Sequence, residues 1–136
     1  MRYMAIDHGE KRTGIAICDR AETLASPFVV LTGQGGLVGR IIKILNEEQI
    51  EAVVVGLPYN MDGTEGPRAK SVRRFADELS KKIDIEVIFF DERLSSFDAE
   101  QKLAGLDLTR KKKKKHLDAV AAASILQSFL DNKQSR

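Results

Sequence analysis

The chain has 136 residues, 43% hydrophobic and 31% charged, with 22 basic against 20 acidic residues and a net charge of +2. That length and apolar content predict one globular domain, residues 1–136, able to bury its own core. No apolar run is long enough to span a bilayer, and Cys18, the single cysteine, excludes an internal disulfide, so a cytoplasmic location without membrane contact is expected.

Taken in chain order, residues 3–6 and 14–18 are short apolar runs joined by a polar, Gly-containing turn, the pattern of a hairpin. Asp7 follows the first run directly. A carboxylate at the end of a buried strand is costly unless compensated, and a metal ion, hydrogen bonds from the turn, or Arg12 are all available for this. Residues 24–31 form a third run that carries Pro27; proline cannot donate to a sheet ladder, so this strand belongs at an edge or a bulge. After a glycine-rich linker, Leu37, Ile41, Ile44 and Leu45 follow helical spacing. The Val-rich run 51–57 reads as a strand buried on both faces.

Residues 58–67, PYNMDGTEGP, are too polar and glycine-rich for an element. Val72, Phe75, Ala76, Leu79 and Ile83 then mark a second amphipathic helix. Residues 85–90 are a β-branched and aromatic strand that stops at Asp91 and Glu92. Ser95 with Asp98 predicts a capping box for a short helix to Leu103. A last helix is expected over 116–130. It is rich in alanine, with Asp118 in its first turn and in line with Ala122, Ile125 and Phe129, hence directed at the sheet.

The order β-β-β-α-β-α-β-α-α predicts a three-layer α/β fold around a mixed sheet of about five strands. In such sheets chemistry collects outside the carboxyl ends of the strands, where Asp7 and the pair Asp91 and Glu92 stand. With Asp118 these make a set of oxygen donors suited to a hard divalent cation. Each has a structural alternative: Asp7 bonding its own turn, Asp91 pairing with Arg93, Asp118 facing the helix macrodipole.

Charge is unevenly spread. Arg110, Lys111, Lys112, Lys113, Lys114 and Lys115 are consecutive, and the remaining 16 basic residues face 20 acidic ones. The run reads either as an anchor for an anionic partner or as a solvated charged loop.

Four motifs carry a resemblance. Asp7, Gly9, Arg12, Gly14 and Ala16 form D-x-G-x-x-R-x-G-x-A; GLPYNMDGTEGPRA starts at Gly56, DERLSS at Asp91 and HLDAVAAASILQSFL at His116. In this order they resemble the YqgF family, also called RuvX, of the ribonuclease-H-like superfamily. The resemblance implies a ribonuclease-H-like fold and a metal-dependent nuclease that uses Mg²⁺ or Mn²⁺. Its expected substrate is the 5′ end of pre-16S ribosomal RNA; the alternative is a branched DNA junction, as for Holliday junction resolvases. It places catalysis and metal binding on Asp7, Glu92 and Asp118. Better-known resolvases carry an acid on the strand end that here reads Gly56, Leu57, Pro58, so the DER motif is the substitute, with Glu92 preferred to Asp91 for its reach. Arg12, Asn60, Thr64, Arg68, Arg93 and the basic run are the expected contacts to nucleic acid. Of two rival readings, an actin-like ATPase needs two related halves, for which the chain has no room. The other is a nucleic-acid-binding factor without catalysis. A monomer or weak homodimer is expected.

Overall fold

The structure, a computed structural model, describes residues 1–95 and 110–134. Its strands are β1 (Tyr3–His8), β2 (Arg12–Cys18), β3 (Ala25–Thr32), β4 (Ala52–Leu57) and β5 (Glu86–Asp91); its helices are α1 (Leu37–Glu47), α2 (Pro67–Ser80) and α3 (Arg110–Gln134), with a 3₁₀ turn at Glu92–Leu94. The sheet runs β3-β2-β1-β4-β5. The hairpin and β3 are antiparallel, whereas β4 and β5 run parallel to β1 and to each other. The carboxyl ends of β1, β4 and β5 therefore share one end of the sheet, as expected for strands linked by helical crossovers.

Strand parity sorts the side chains into two cores. Met4, Ile6, Ile15, Val53 and Val55 pack under α1 and α2. Tyr3, Ala5, Ala16, Ala52 and Val54 pack under α3, against Ala122, Ile125 and Leu126. Within the second core, Ala5, Ala16 and Ala52 of the sheet meet Ala122 and Ala123 of α3, which lets the helix lie close to the sheet there. β4, the predicted doubly covered strand, is buried at all six positions. Pro27 stands on edge strand β3 where the register with β2 shifts, Ile15 pairing with Val29 and Ala16 with Pro27. The missing N–H is thus accommodated by an edge and a bulge together.

Three expectations need correction. The hairpin strands are longer than the apolar runs, because only Gly9, Glu10 and Lys11 lie between them and the Gly9 N–H already bonds the Arg12 carbonyl at 2.9 Å. The second helix ends at Ser80, before Ile83, and begins at Pro67, a residue assigned to the preceding loop; proline suits a first helical position, where no N–H bond is lost. The last helix begins at Arg110, not at His116, so the basic run is helical and not a loop. Lysine and arginine are good helix formers and extend what the alanine-rich segment establishes. Asp118 is consequently about two turns inside α3, which removes the macrodipole explanation for it. The predicted capping box and short helix to Leu103 lie outside the described residues. No helix among the described residues is long and apolar enough to cross a membrane.

Candidate active site

Three elements bring carboxylates to the carboxyl end of the parallel strands. Asp7 pairs with Gly14 across the hairpin and shares the parity of Tyr3 and Ala5, so it faces α3. Glycine is required opposite it: a Cβ at position 14 would lie 2.0 Å from the backbone oxygen of Asp118. The bare strand lets the helix backbone rest on β2. That contact sets Asp118 above the hairpin, where the Arg12 Nε donates to its Oδ2 at 2.7 Å.

The third carboxylate follows from parity at the end of β5. Phe90 faces α3 and Val87 the opposite layer, so Asp91 turns toward the α2 side and Glu92 back toward α3. Asp91 accepts hydrogen bonds from the Arg93 guanidinium, whose Nη2 lies at 2.7 Å, and from the Arg93 backbone N at 2.9 Å, which hold its pKa below the ordinary carboxylate range. The Glu92 side chain instead lies over Gly56, where a Cβ would come within 2.9 Å of its Oε1. The strand end without an acid thus supplies the room that the acid from the neighbouring strand occupies.

Asp7, Glu92, Asp118, Arg12 and Arg68 line one cleft of about 490 Å³. Burial is the main cause that lifts the pKa of Asp7 to about 7, followed by the charge of Glu92, a hydrogen bond with it, and the charge of Asp118; Arg68 opposes the rise. A carboxylate held near neutrality by burial and like charge is a common signature of a working site.

The family profile described as "RuvX: Holliday junction resolvase" matches residues 1–132. The chain belongs to the RuvX family. A protein of Roseiflexus sp. (strain RS-1), named "Putative pre-16S rRNA nuclease", is 40% identical over 135 residues, covering 98% of this chain and 96% of its own length. One from Geobacillus sp. (strain WCH70), with the same name, is 41% identical over 139 residues, covering 98% and 100%. Among solved structures, T. thermophilus RuvC in complex with a Holliday junction substrate superposes with a TM-score of 0.65 at 15% identity, covering 99% of this chain and 96% of that one. The fowlpox virus resolvase in complex with Holliday junction DNA gives 0.58 at 12%, covering 98% and 99%. At these identities the structural likeness speaks for the fold, which is ribonuclease-H-like.

Within this RuvX-family chain, the structure gathers Asp7, Glu92, Asp118, Arg12 and Arg68 and leaves others aside. The Asn60 amide donates to Thr64 Oγ1 at 2.9 Å, inside its own loop. Arg93 is engaged by Asp91 and stands 5.2 Å from the centre of the Tyr59 ring, bracing that loop. The backbone of the basic run continues α3 past Asp118 at the end of the molecule where the cleft lies. Glu10 and Lys11 also line the cleft and were not singled out from the sequence. Their signal was the brevity of the turn, since every residue of a three-residue turn stays at the strand ends. His8 is the other residue missed. It is buried, its ring stacked on Phe75 at 4.2 Å, on the face opposite Asp7.

The donors of the cleft are carboxylate oxygens, which match a hard divalent cation, and the repulsion that raises Asp7 is what a cation relieves. Among the described residues no three such groups are already drawn together as ligands. Arg12 engages one oxygen of Asp118, Oδ2.

Proposed function

We propose that this chain is a nuclease that hydrolyses phosphodiester bonds at the cleft, with the 5′ region of pre-16S ribosomal RNA as substrate. The observation that carries the reading is the convergence of Asp7, Glu92 and Asp118, from three separate elements, on one cleft that also holds Arg12 and Arg68. The choice of RNA rests on the names of relatives about 40% identical over nearly the whole chain. A branched DNA junction is the second reading, favoured by the family description and by the junction bound to two proteins of the same fold.

Asp7, Glu92 and Asp118 would hold Mg²⁺ or Mn²⁺, which when bound supplies Lewis acidity toward a phosphoryl oxygen and toward an attacking water. Arg68 faces the same space and offers a guanidinium to a phosphate, a planar donor fork suited to two oxygens. Arg12 steadies Asp118 through its Nε at the edge of the same cleft. The helical run Arg110–Lys115 would hold flanking backbone, an affinity term that is indifferent to sequence.

The test is a cleavage assay with Mg²⁺ or Mn²⁺ that compares pre-16S RNA with a four-way DNA junction. Cleavage of the RNA that is lost in both Asp7→Asn and Asp118→Asn supports the reading. Equal cleavage by these variants overturns it, and cleavage confined to the junction transfers the site to the second substrate.

A further inference from the structure

A second cavity, of about 250 Å³, lies beside the cleft and is lined by His8, Glu10, Arg68, Ser71 and Arg74 together with the apolar Pro67 and Val72. Arg68 and Glu10 line both spaces. Arg68, Ser71 and Arg74 stand three residues apart on α2, so they follow one side of the helix over about 9 Å of its axis. The neighbouring Arg73 is tied to Glu65 at 2.5 Å, and Lys81 and Lys82 to Asp77 and Glu78. Arg68 and Arg74, in contrast, form no ion pair with a carboxylate among the described residues. The His8 ring, stacked on Phe75 and bonded through Nε2 to Gln34 at 3.3 Å, gives the cavity a rigid wall.

Two cations without a carboxylate partner among the described residues, a hydroxyl between them and one opposing carboxylate, Glu10, make a place for a single anion. Its position matters more than its strength. It begins at the edge of the carboxylate cleft, on the other side of Arg68, so a strand leaving the cleft meets it next.

We infer that this pocket holds a backbone phosphate of the nucleic-acid strand next to the one at the cleft, with Arg74 and Ser71 as its own contacts and Arg68 shared between the two spaces. The inference rests on the nuclease reading for the identity of the strand. It adds a fixed register: the phosphate in the pocket sets which bond lies over Asp7. Such a contact is independent of base sequence and positions the substrate.

The test is binding of a fluorescein-labelled RNA from the 5′ region of pre-16S RNA by the full chain, followed by anisotropy in a chelator across a salt titration. Losing one phosphate contact should reduce the slope of log K against log salt by about one, so Arg74→Gln should bind several-fold more weakly with a flatter slope. Glu10→Gln should tighten binding several-fold by removing the opposing charge. Lys43→Gln, an equal loss of charge on an exposed α1 residue, is the control and should keep the slope. The same slope for Arg74→Gln and Lys43→Gln overturns the inference. So does saturation of the pocket by inorganic phosphate, seen as an Arg74-dependent NMR shift, without any effect of Arg74→Gln on RNA binding, because the site then serves a free anion. Binding is read without metal, so its outcome is independent of whether Asp7→Asn abolishes cleavage, which tests the nuclease reading alone.

Discussion

Asp7 is half-buried next to two other carboxylates, and its pKa of about 7 makes it a source of pH-dependent stability. Between the ordinary Asp value of 3.8 and about 7 the folded state holds a proton there that the unfolded chain has released. Stability from this group is therefore full below that window and falls as pH rises through it. In metal-free protein, Asp7→Asn should equal the wild type near pH 4 and be more stable at pH 7.5, by on the order of 4 kcal/mol, as read from urea unfolding. Mg²⁺ or Mn²⁺ should raise the Tm of the wild type at pH 7.5 but hardly at pH 5, where protons compete for the same oxygens, and should leave Asp7→Asn less affected at both. What the sequence showed was a carboxylate at the end of an apolar strand, with a metal ion, the turn or Arg12 each able to compensate it. The choice of Glu92 over Asp91 was reached through side-chain reach. In the structure Asp91 is held by Arg93 on the α2 side, whereas Glu92, first residue of the 3₁₀ turn, lines the cleft.

The two glycines facing α3 act on different elements and should fail differently. At Gly14 an added methyl meets the backbone of Asp118 and Ala119, at 2.0 and 3.0 Å, and neither can move without the helix. Gly14→Ala should cost about 3 kcal/mol or more in stability and displace Asp118, lowering both Tm and activity. At Gly56 the nearest atoms are side-chain ends, Ile125 Cδ1 at 2.8 Å and Glu92 Oε1 at 2.9 Å, which can rotate away. Gly56→Ala should cost less than about 1.5 kcal/mol yet reduce kcat by tenfold or more, because the side chain that yields is a candidate ligand. Unequal effects on Tm with comparable effects on kcat would confirm the difference. Equal Tm losses would mean that α3 adjusts more readily than its contacts suggest. Neither contact is visible in the chain itself, where Gly14 stands in the first motif and Gly56 at the strand end without an acid, since both depend on what α3 and the end of β5 bring near them.

At the scale of the molecule, α3 is both the cover of one sheet face and the carrier of Asp118, whereas α1 covers the other face and carries no residue of the cleft. Leu126 and Leu45 are both buried, one on each side. Replacing either by Ala should destabilise the protein by about 3 kcal/mol in denaturant unfolding. Only Leu126→Ala should also lower the specific activity of the folded fraction, since a loosened α3 moves Asp118 relative to Asp7. An equal loss of specific activity in Leu45→Ala would show that the site depends on the whole core and not on the seating of one helix.

Local chemistry was enough for the sequence to specify the five strands, the existence of α1, α2 and α3 and the edge position of Pro27, because periodicity and proline act over a few residues. The start of α3 was not legible, since a run of six cations reads equally well as loop or helix until the apolar segment that continues it is docked. The neighbourhoods were decided by tertiary structure alone. Arg12 and Asp118 are 106 residues apart in the chain and 2.7 Å apart in space. Glu92 reaches Asp7 through room left by Gly56 on a third strand. Such meetings depend on which strands are adjacent and how closely a helix can approach them. The same opening stretch from β1 through β2 therefore reads in sequence as a strand with a charge to explain, and in the fold as the floor on which the cleft is assembled.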